Sequence, residues 1–255
     1  MAHVILKQIG INMKKVLLKL NSYLFKSLGY AITKIDNPLR AEFFYSWLKN
    51  LNIPCNVIYD IGANDGSYSM NIQKIFPTST FFLFEANDEH DKALRNTGFN
   101  YFIALLYSKN TQVPFYKLNK TGDSIFKENY NGSYDVIDST LMSTITLDSL
   151  IKNKNLPYPD MVKIDTQGSE LEILQGGTTI LHNASVVILE LPILNYNSNS
   201  PKISEILEFM SDNNFVPVKL VESHRIANCL IQIDIAFMAI KIVSQTFGDK
   251  KRDFL

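Results

Sequence analysis

The sequence predicts an α/β protein built on a mostly parallel, doubly wound sheet with one antiparallel strand near an edge. Three observations carry that prediction. Short apolar runs rich in β-branched residues alternate with segments whose apolar residues recur at helical spacing. A glycine-bearing turn, "DIGANDG" (60–66), joins the first such run to the next helix, at the strand end where open α/β sheets bind ligands. The last two strand-like runs have no helix between them, so they pair antiparallel.

The totals fit one folded domain. At 255 residues, 46% hydrophobic and 20% charged, the chain has the make-up of an ordinary globular protein rather than a disordered one. Basic and acidic residues number 25 each, so net charge gives no case for a nucleic-acid partner. Cys55 and Cys229 share no metal-ligand or C-x-x-C spacing and read as free thiols in a reducing, cytoplasmic compartment.

The elements follow in order. Residues 1–52 read as an N-terminal helical extension of the same unit, 53–245 as the main domain and 246–255 as a tail. Lys7, Lys14, Lys15, Lys19, Lys26 and Lys34 all precede the first acid, Asp36, and interrupt every apolar run. No window therefore reaches the roughly 20 residues of a membrane span. The segment reads as a basic amphipathic helix packed on the domain, or else one in peripheral contact with an anionic membrane surface. Asn37 and Pro38 suit a helix cap and first helical position, and Phe43, Phe44, Trp47 and Leu48 continue at helical spacing.

A strand is expected at 57–60, a helix at 67–76 stopped by Pro77, and a second strand at 81–84. Asn87 or Asp88 caps a helix running to Gly98, and a third strand spans 101–106. Residues 106–143 read as polar and irregular, with one alternating strand in "VPFYKL". A helix at 147–151, a strand at 161–165 and a helix at 169–174 ended by Gly176 and Gly177 come next. A strand at 186–191, a helix at 201–210 and strands at 215–220 and 231–240 complete the set.

The turn's chemistry narrows the ligand. Gly62 allows a sharp bend and close approach of the backbone, and Gly66 leaves room where the helix begins. Asp60 offers a carboxylate to a cationic group. Glu85 ends the next strand, where an acid accepts two hydrogen bonds from a ribose diol. The spacing lacks the second glycine of G-x-G-x-x-G, and Asp60 and Asp65 would repel a pyrophosphate. No P-loop is present. An acid-flanked glycine loop suits S-adenosylmethionine, which is cationic and has no phosphate.

At this point "VIYDIGANDGSYS" (57–69) resembles motif I of class I SAM-dependent methyltransferases. "MVKIDTQGSELEILQGG" (161–177) resembles the signature of the FkbM family, supported by "STITLDSL" (143–150), "VVILEL" (186–191) and the late "QIDIAFMAI" (232–240). The resemblance runs over about 56–240. It implies the Rossmann-like class I methyltransferase fold and O-methylation of a carbohydrate or small natural-product hydroxyl. It further implies that Asp60, Gly62, Asn64 and Gly66 line the methionine and ribose side, that Glu85 holds the ribose, and that Ala104 neighbours the adenine. An NAD-linked oxidoreductase and a non-catalytic scaffold are the competing readings.

Candidates for catalysis come from the central strands. Lys163 and Asp165 are two apart and share a face of their strand. A lysine inside a central strand needs a counter-charge, and Glu190, ending the next strand, is the expected one. Lys163, Asp165 and Glu190 are therefore the candidate cluster at the methyl-transfer end, with an ion-pair network as the structural alternative. A divalent metal held by Asp165 and Glu190 is less favoured, because Gln167 stands where related sequences often carry Glu. His90 and His182 read as helix-surface residues; His224, expected in a loop, is a weak base candidate. Residues 119–135, rich in hydroxyl, amide and aromatic groups, suit an acceptor-binding insertion or a solvated loop.

Overall fold

Apolar β-branched runs in parallel strands are buried on both faces, and the chain follows that rule closely. The computed structural model describes residues 41–118, 122–127, 136–194, 197 and 200–248. The basic segment before residue 41 and residues 249–255 of the predicted tail lie outside these residues, as does most of the predicted acceptor insertion. The strands of the main sheet are β1 (Val57–Ile61), β2 (Thr80–Glu85), β3 (Asn100–Ile103), β7 (Met161–Ile164), β8 (Val186–Pro192), β9 (Phe215–Ile226) and β10 (Cys229–Ala239). Their order is β3-β2-β1-β7-β8-β10-β9, parallel except for β10, which runs antiparallel to both neighbours. The order reverses between β1 and β7, the crevice where such sheets bind ligands. The predicted fold class is thus the observed one.

Alternation along each strand feeds two helical layers. On one face Tyr59, Phe82, Phe84, Val162, Ile164 and Leu189 pack with helices α4 (Leu147–Lys154), α5 (Glu170–Gln175), α6 (Thr178–Asn183) and α7 (Ile203–Asp212). On the other, Ile58, Phe81, Leu83, Met161 and Ile188 pack with α1 (Ala41–Asn50), α2 (Ser67–Gln73), α3 (Asp91–Thr97) and α8 (Ile240–Phe247). Phe44, Tyr45 and Leu48 of α1 are fully buried there, so this part of the predicted extension is built into the domain core. Among the described residues no helix is long and apolar enough to cross a membrane.

Several elements differ from the sequence reading. The expected third strand is divided at Ala104: β3 stays in the main sheet, while β4 (Leu105–Leu106) leaves it and pairs with β6 (Val136–Ile145), which in turn pairs with β5 (Gln112–Leu118). Leu105 is drawn off by Phe115 and Ile125, which form a small core of their own. The stretch read as irregular with one strand thus contributes two long strands, β5 and β6, to a second, three-stranded sheet. The end of the chain is a long hairpin rather than two short strands and a loop. Its turn residues, Ala227 and Asn228, both take left-handed backbone angles (φ 48 and 66), the conformation of a tight two-residue hairpin turn. His224 consequently sits inside β9, paired with Gln232. The short helix α6 and the final helix α8 were not anticipated.

Candidate active site

The loop after β1 is held from three sides. Gly62 N and Ala63 N both donate to Phe84 O, at 2.9 and 3.1 Å. Asn64 N donates to Glu85 Oε2 at 2.7 Å. Gly62 has φ 78, and a Cβ on it would lie 1.8 Å from the carbonyl oxygen of Asp165. The missing side chain thus lets the ends of β1 and β7 meet backbone to backbone. Gly66 has another purpose: a Cβ there would meet Thr97 Cγ2 at 2.7 Å and Leu83 Cδ2 at 3.2 Å, so it seats the start of α2 against α3.

Glu85 closes the end of β2. Its Oε2 accepts from Asn64 N, and its Oε1 accepts from Asn87 N at 2.8 Å. Each oxygen keeps a lone pair for a further donor. Burial pushes this carboxyl above its ordinary range, against the pull of the backbone N–H groups. It faces a cavity of about 310 Å³ at the crevice between β1 and β7. Gly62, Asn64, Ala104, Asp165 and Glu190 share that wall, with Phe84, Leu106 and Ile173 supplying apolar surface. Ser124 and Ile125, from the described part of the predicted insertion, also border it.

The structure separates three predicted site residues from the cavity. Asp60, Gly66 and Lys163 do not reach its wall. Asp60 and Lys163 are register partners on β1 and β7, buried in the layer under α2. Ser69 Oγ donates to Asp60 Oδ2 at 2.6 Å, while Asp60 Oδ1 accepts no hydrogen bond among the described residues. Lys163 Nζ lies 4.4 Å from the centre of the Tyr68 ring and 2.7 Å from Asp165 Oδ2. Burial disfavours the ammonium, but Asp165 and Asp60 outweigh it and raise the Lys163 pKa. Burial pushes Asp60 up, more than Lys163 and Ser69 pull it down.

Lys163 and Asp165 thus share a face, as their spacing predicts, but the lysine's close partner is Asp165 and not the expected Glu190. Glu190 Oε2 accepts from Gln167 Nε2 at 2.5 Å, and the same amide reaches Asp165 Oδ1 at 3.3 Å. Burial, then Lys163 and hydrogen bonds from Glu190, Lys163 and Gln167, act on Asp165; the attractive contributions win and its pKa falls. Burial, then the charge of Asp165 and the hydrogen bond to it, push Glu190 well up. The two carboxyls are thus pushed in opposite directions, Asp165 down by its cation and Glu190 up by burial beside Asp165.

Glu170 explains the rest of the run KIDTQGSE (163–170). Its carboxylate turns back and accepts from Thr166 N at 2.9 Å and from Gly168 N at 3.1 and 3.0 Å. Gln167 and Gly168 both have positive φ, 56 and 111, so the loop is wound tightly around that one buried acid. This fixes the Gln167 amide between Asp165 and Glu190. Sequence reasoning passed over Gln167 as a neutral substitute for a ligand. It also placed His90 on the surface, yet His90 borders the cavity, at the end of the one-turn helix Asp88–His90. The Asn87 cap just ahead of that turn was the available signal, because it fixes where the turn begins relative to Glu85. His224 Nε2 lies 3.6 Å from Asp234 Oδ1 and 4.0 Å from Glu190 Oε1, on the far side of Glu190.

Comparison with known proteins adds the following. The family model described as the methyltransferase FkbM domain matches residues 60–217, more than half of the chain. The hexuronic acid methyltransferase AglP of Haloferax volcanii is 28% identical over 176 residues, covering 63% of this chain and 69% of that protein. The 2-O-methyltransferase NoeI of Sinorhizobium fredii is 26% identical over 159 residues, covering 55% of this chain and 65% of that protein. Among solved structures, magnesium protoporphyrin IX methyltransferase from Synechocystis with bound SAM is similar at a TM-score of 0.46 and 11% identity, covering 78% and 77% of the two chains.

Proposed function

Because the chain belongs to the FkbM methyltransferase family, we propose that it is an S-adenosylmethionine-dependent O-methyltransferase acting on a hydroxyl of a carbohydrate or small natural product. The observation that carries the reading is Glu85, ending β2 with both oxygens oriented by backbone N–H groups in a crevice it shares with the Gly62 turn and Ala104. The names of the two relatives, which act on hexuronic acid and on a 2-hydroxyl, support the acceptor class.

The residues fit the cofactor. Glu85 would accept from both ribose hydroxyls, and Phe84, Ala104 and Leu106 offer apolar surface for a purine. The wall carries Glu85, Asp165 and Glu190, acids that suit a positively charged ligand. When bound, S-adenosylmethionine supplies a methyl group on a good leaving group, so the protein mainly aligns and excludes water. Asp165, at the wall and locked by Lys163, would accept a hydrogen bond from the acceptor hydroxyl and hold its proton. Lys163 is too deeply buried to meet the acceptor and serves as the positioning residue for Asp165.

Two measurements test this reading. Calorimetry with S-adenosylhomocysteine is expected to show one site, weakened about 10- to 100-fold in Glu85→Gln by loss of charge-assisted hydrogen bonds. Ligand binding needs the ionised Glu85, whose pKa is raised, so affinity falls with falling pH sooner than an ordinary carboxylate at about 4.3 would allow. Glu85→Gln should flatten that pH dependence; absence of any heat at neutral pH overturns the assignment. Separately, Asp165→Asn is expected to lower kcat by about 10²- to 10³-fold with S-adenosylhomocysteine affinity nearly unchanged. Near-normal turnover would make Asp165 part of a purely structural network.

A further inference from the structure

Glu190 and Asp234 are directly opposite each other in the antiparallel β8–β10 ladder. Like charges at such a cross-strand pair repel, and here both residues are only 7% exposed. Asp234 Oδ1 is fully buried and accepts no hydrogen bond among the described residues, a costly condition for a carboxylate oxygen. The neighbouring ammonium, Lys163, is engaged by Asp165. What faces the two acids is His224 Nε2, at 3.6 and 4.0 Å, beyond hydrogen-bond length.

One nitrogen and two oxygens, from three adjacent strands, all lie within 4.8 Å of one another. Metal–ligand bonds of about 2.0–2.2 Å place neighbouring donor atoms roughly 3–4 Å apart, so little contraction is needed to close the set on an ion. The partner amide Gln167 Nε2 occupies Glu190 Oε2 and leaves Oε1 directed at the histidine, as an outer hydrogen bond orients a ligating carboxylate. An imidazole with two carboxylates suits manganese, iron or zinc better than magnesium or calcium, which take oxygen alone.

We propose that Glu190, His224 and Asp234 bind one divalent transition-metal ion. This goes beyond the sequence expectation, which paired Glu190 with Asp165. Glu190 also borders the cofactor cavity, and the half-exposed His224 leaves one side of the set open. On the methyltransferase reading, the open positions take oxygen atoms of the acceptor beside Asp165, which favours an acceptor with two neighbouring oxygens, such as a vicinal diol or a hydroxy acid.

The test uses the full chain, stripped with chelator and titrated with Mn²⁺ while free Mn²⁺ is followed by electron paramagnetic resonance. The wild type is expected to bind one Mn²⁺, displaced by Zn²⁺, with a rise in Tm on loading. Asp234→Asn and His224→Gln are expected to weaken binding at least about tenfold. Both should keep the S-adenosylhomocysteine affinity of the wild type, which reports that the variants are folded. Wild type that binds neither ion below millimolar concentration overturns the site, as do variants that bind Mn²⁺ like the wild type. Failure of S-adenosylhomocysteine to bind the wild type would instead sink the methyltransferase reading, since the Mn²⁺ titration is read without cofactor.

Discussion

Gly62→Ala is expected to destabilise the protein by about 3–5 kcal/mol and to abolish measurable S-adenosylhomocysteine binding. Two effects add. The first is backbone strain: an L-residue held at φ 78 costs about 1–2 kcal/mol. The second is steric. The new methyl carbon would sit 1.8 Å from Asp165 O, a backbone atom just past the end of β7. That oxygen cannot swing aside as a flexible side chain would. The end of β1 must part from the end of β7, and with it go the hydrogen bonds of Gly62 N and Ala63 N to Phe84 O and of Asp165 N to Ile61 O.

Gly98→Ala separates the two effects. Gly98 caps α3 at φ 74, but a Cβ there meets nothing within 4 Å. Its substitution should cost only the strain, about 1 kcal/mol. Denaturant unfolding of both variants gives the contact contribution as the difference. Equal losses at the two positions would show that the strand ends relax freely, and that the Gly62 turn is not the rigid cradle argued above.

How legible this site was in the sequence depended on how local its causes are. Lys163 and Asp165 were placed on one face by the period of a strand, and Glu85 at a strand end by its position after an apolar run. Both needed only neighbours in sequence. The roles of Asp60 and Gly66 depend on groups from elsewhere. Asp60 meets Ser69 and Lys163, and Gly66 meets Thr97 and Leu83. Of the loop the motif names, Gly62 and Asn64 reach the cavity wall and Asp60 and Gly66 do not. The second sheet was hidden because β6 lies in a polar stretch and pairs parallel to the two-residue strand β4. The final hairpin was hidden because its turn is Ala-Asn rather than a glycine pair, and His224 was misread with it. Once β9 extends past Leu220, His224 and Asp234 come to the same end of the sheet as Glu190.

Lys163→Met should be the most damaging change that adds no bulk. The lysine is buried between Asp60, its register partner, and Asp165, and it is covered by the Tyr68 ring. Methionine fills similar volume but leaves two carboxyls without their cation, a change that costs about 3–5 kcal/mol when a buried pair is broken. The loss should exceed that of Asp60→Asn, which leaves Lys163 paired with Asp165 and keeps an acceptor for Ser69 Oγ. In the double variant the neutral amide removes one of the stranded charges. The combined cost should then fall short of the sum by about 1–3 kcal/mol, the range found for residues in one charged network. Additive losses would mean that Asp60 is protonated in the native protein, since burial already pushes it in that direction, and that only Asp165 balances the lysine. Turnover distinguishes the two halves of the network. Lys163→Met frees Asp165 to turn away from the cavity and should lower kcat, whereas Asp60→Asn, acting below the sheet surface, should leave kcat within about threefold while reducing Tm.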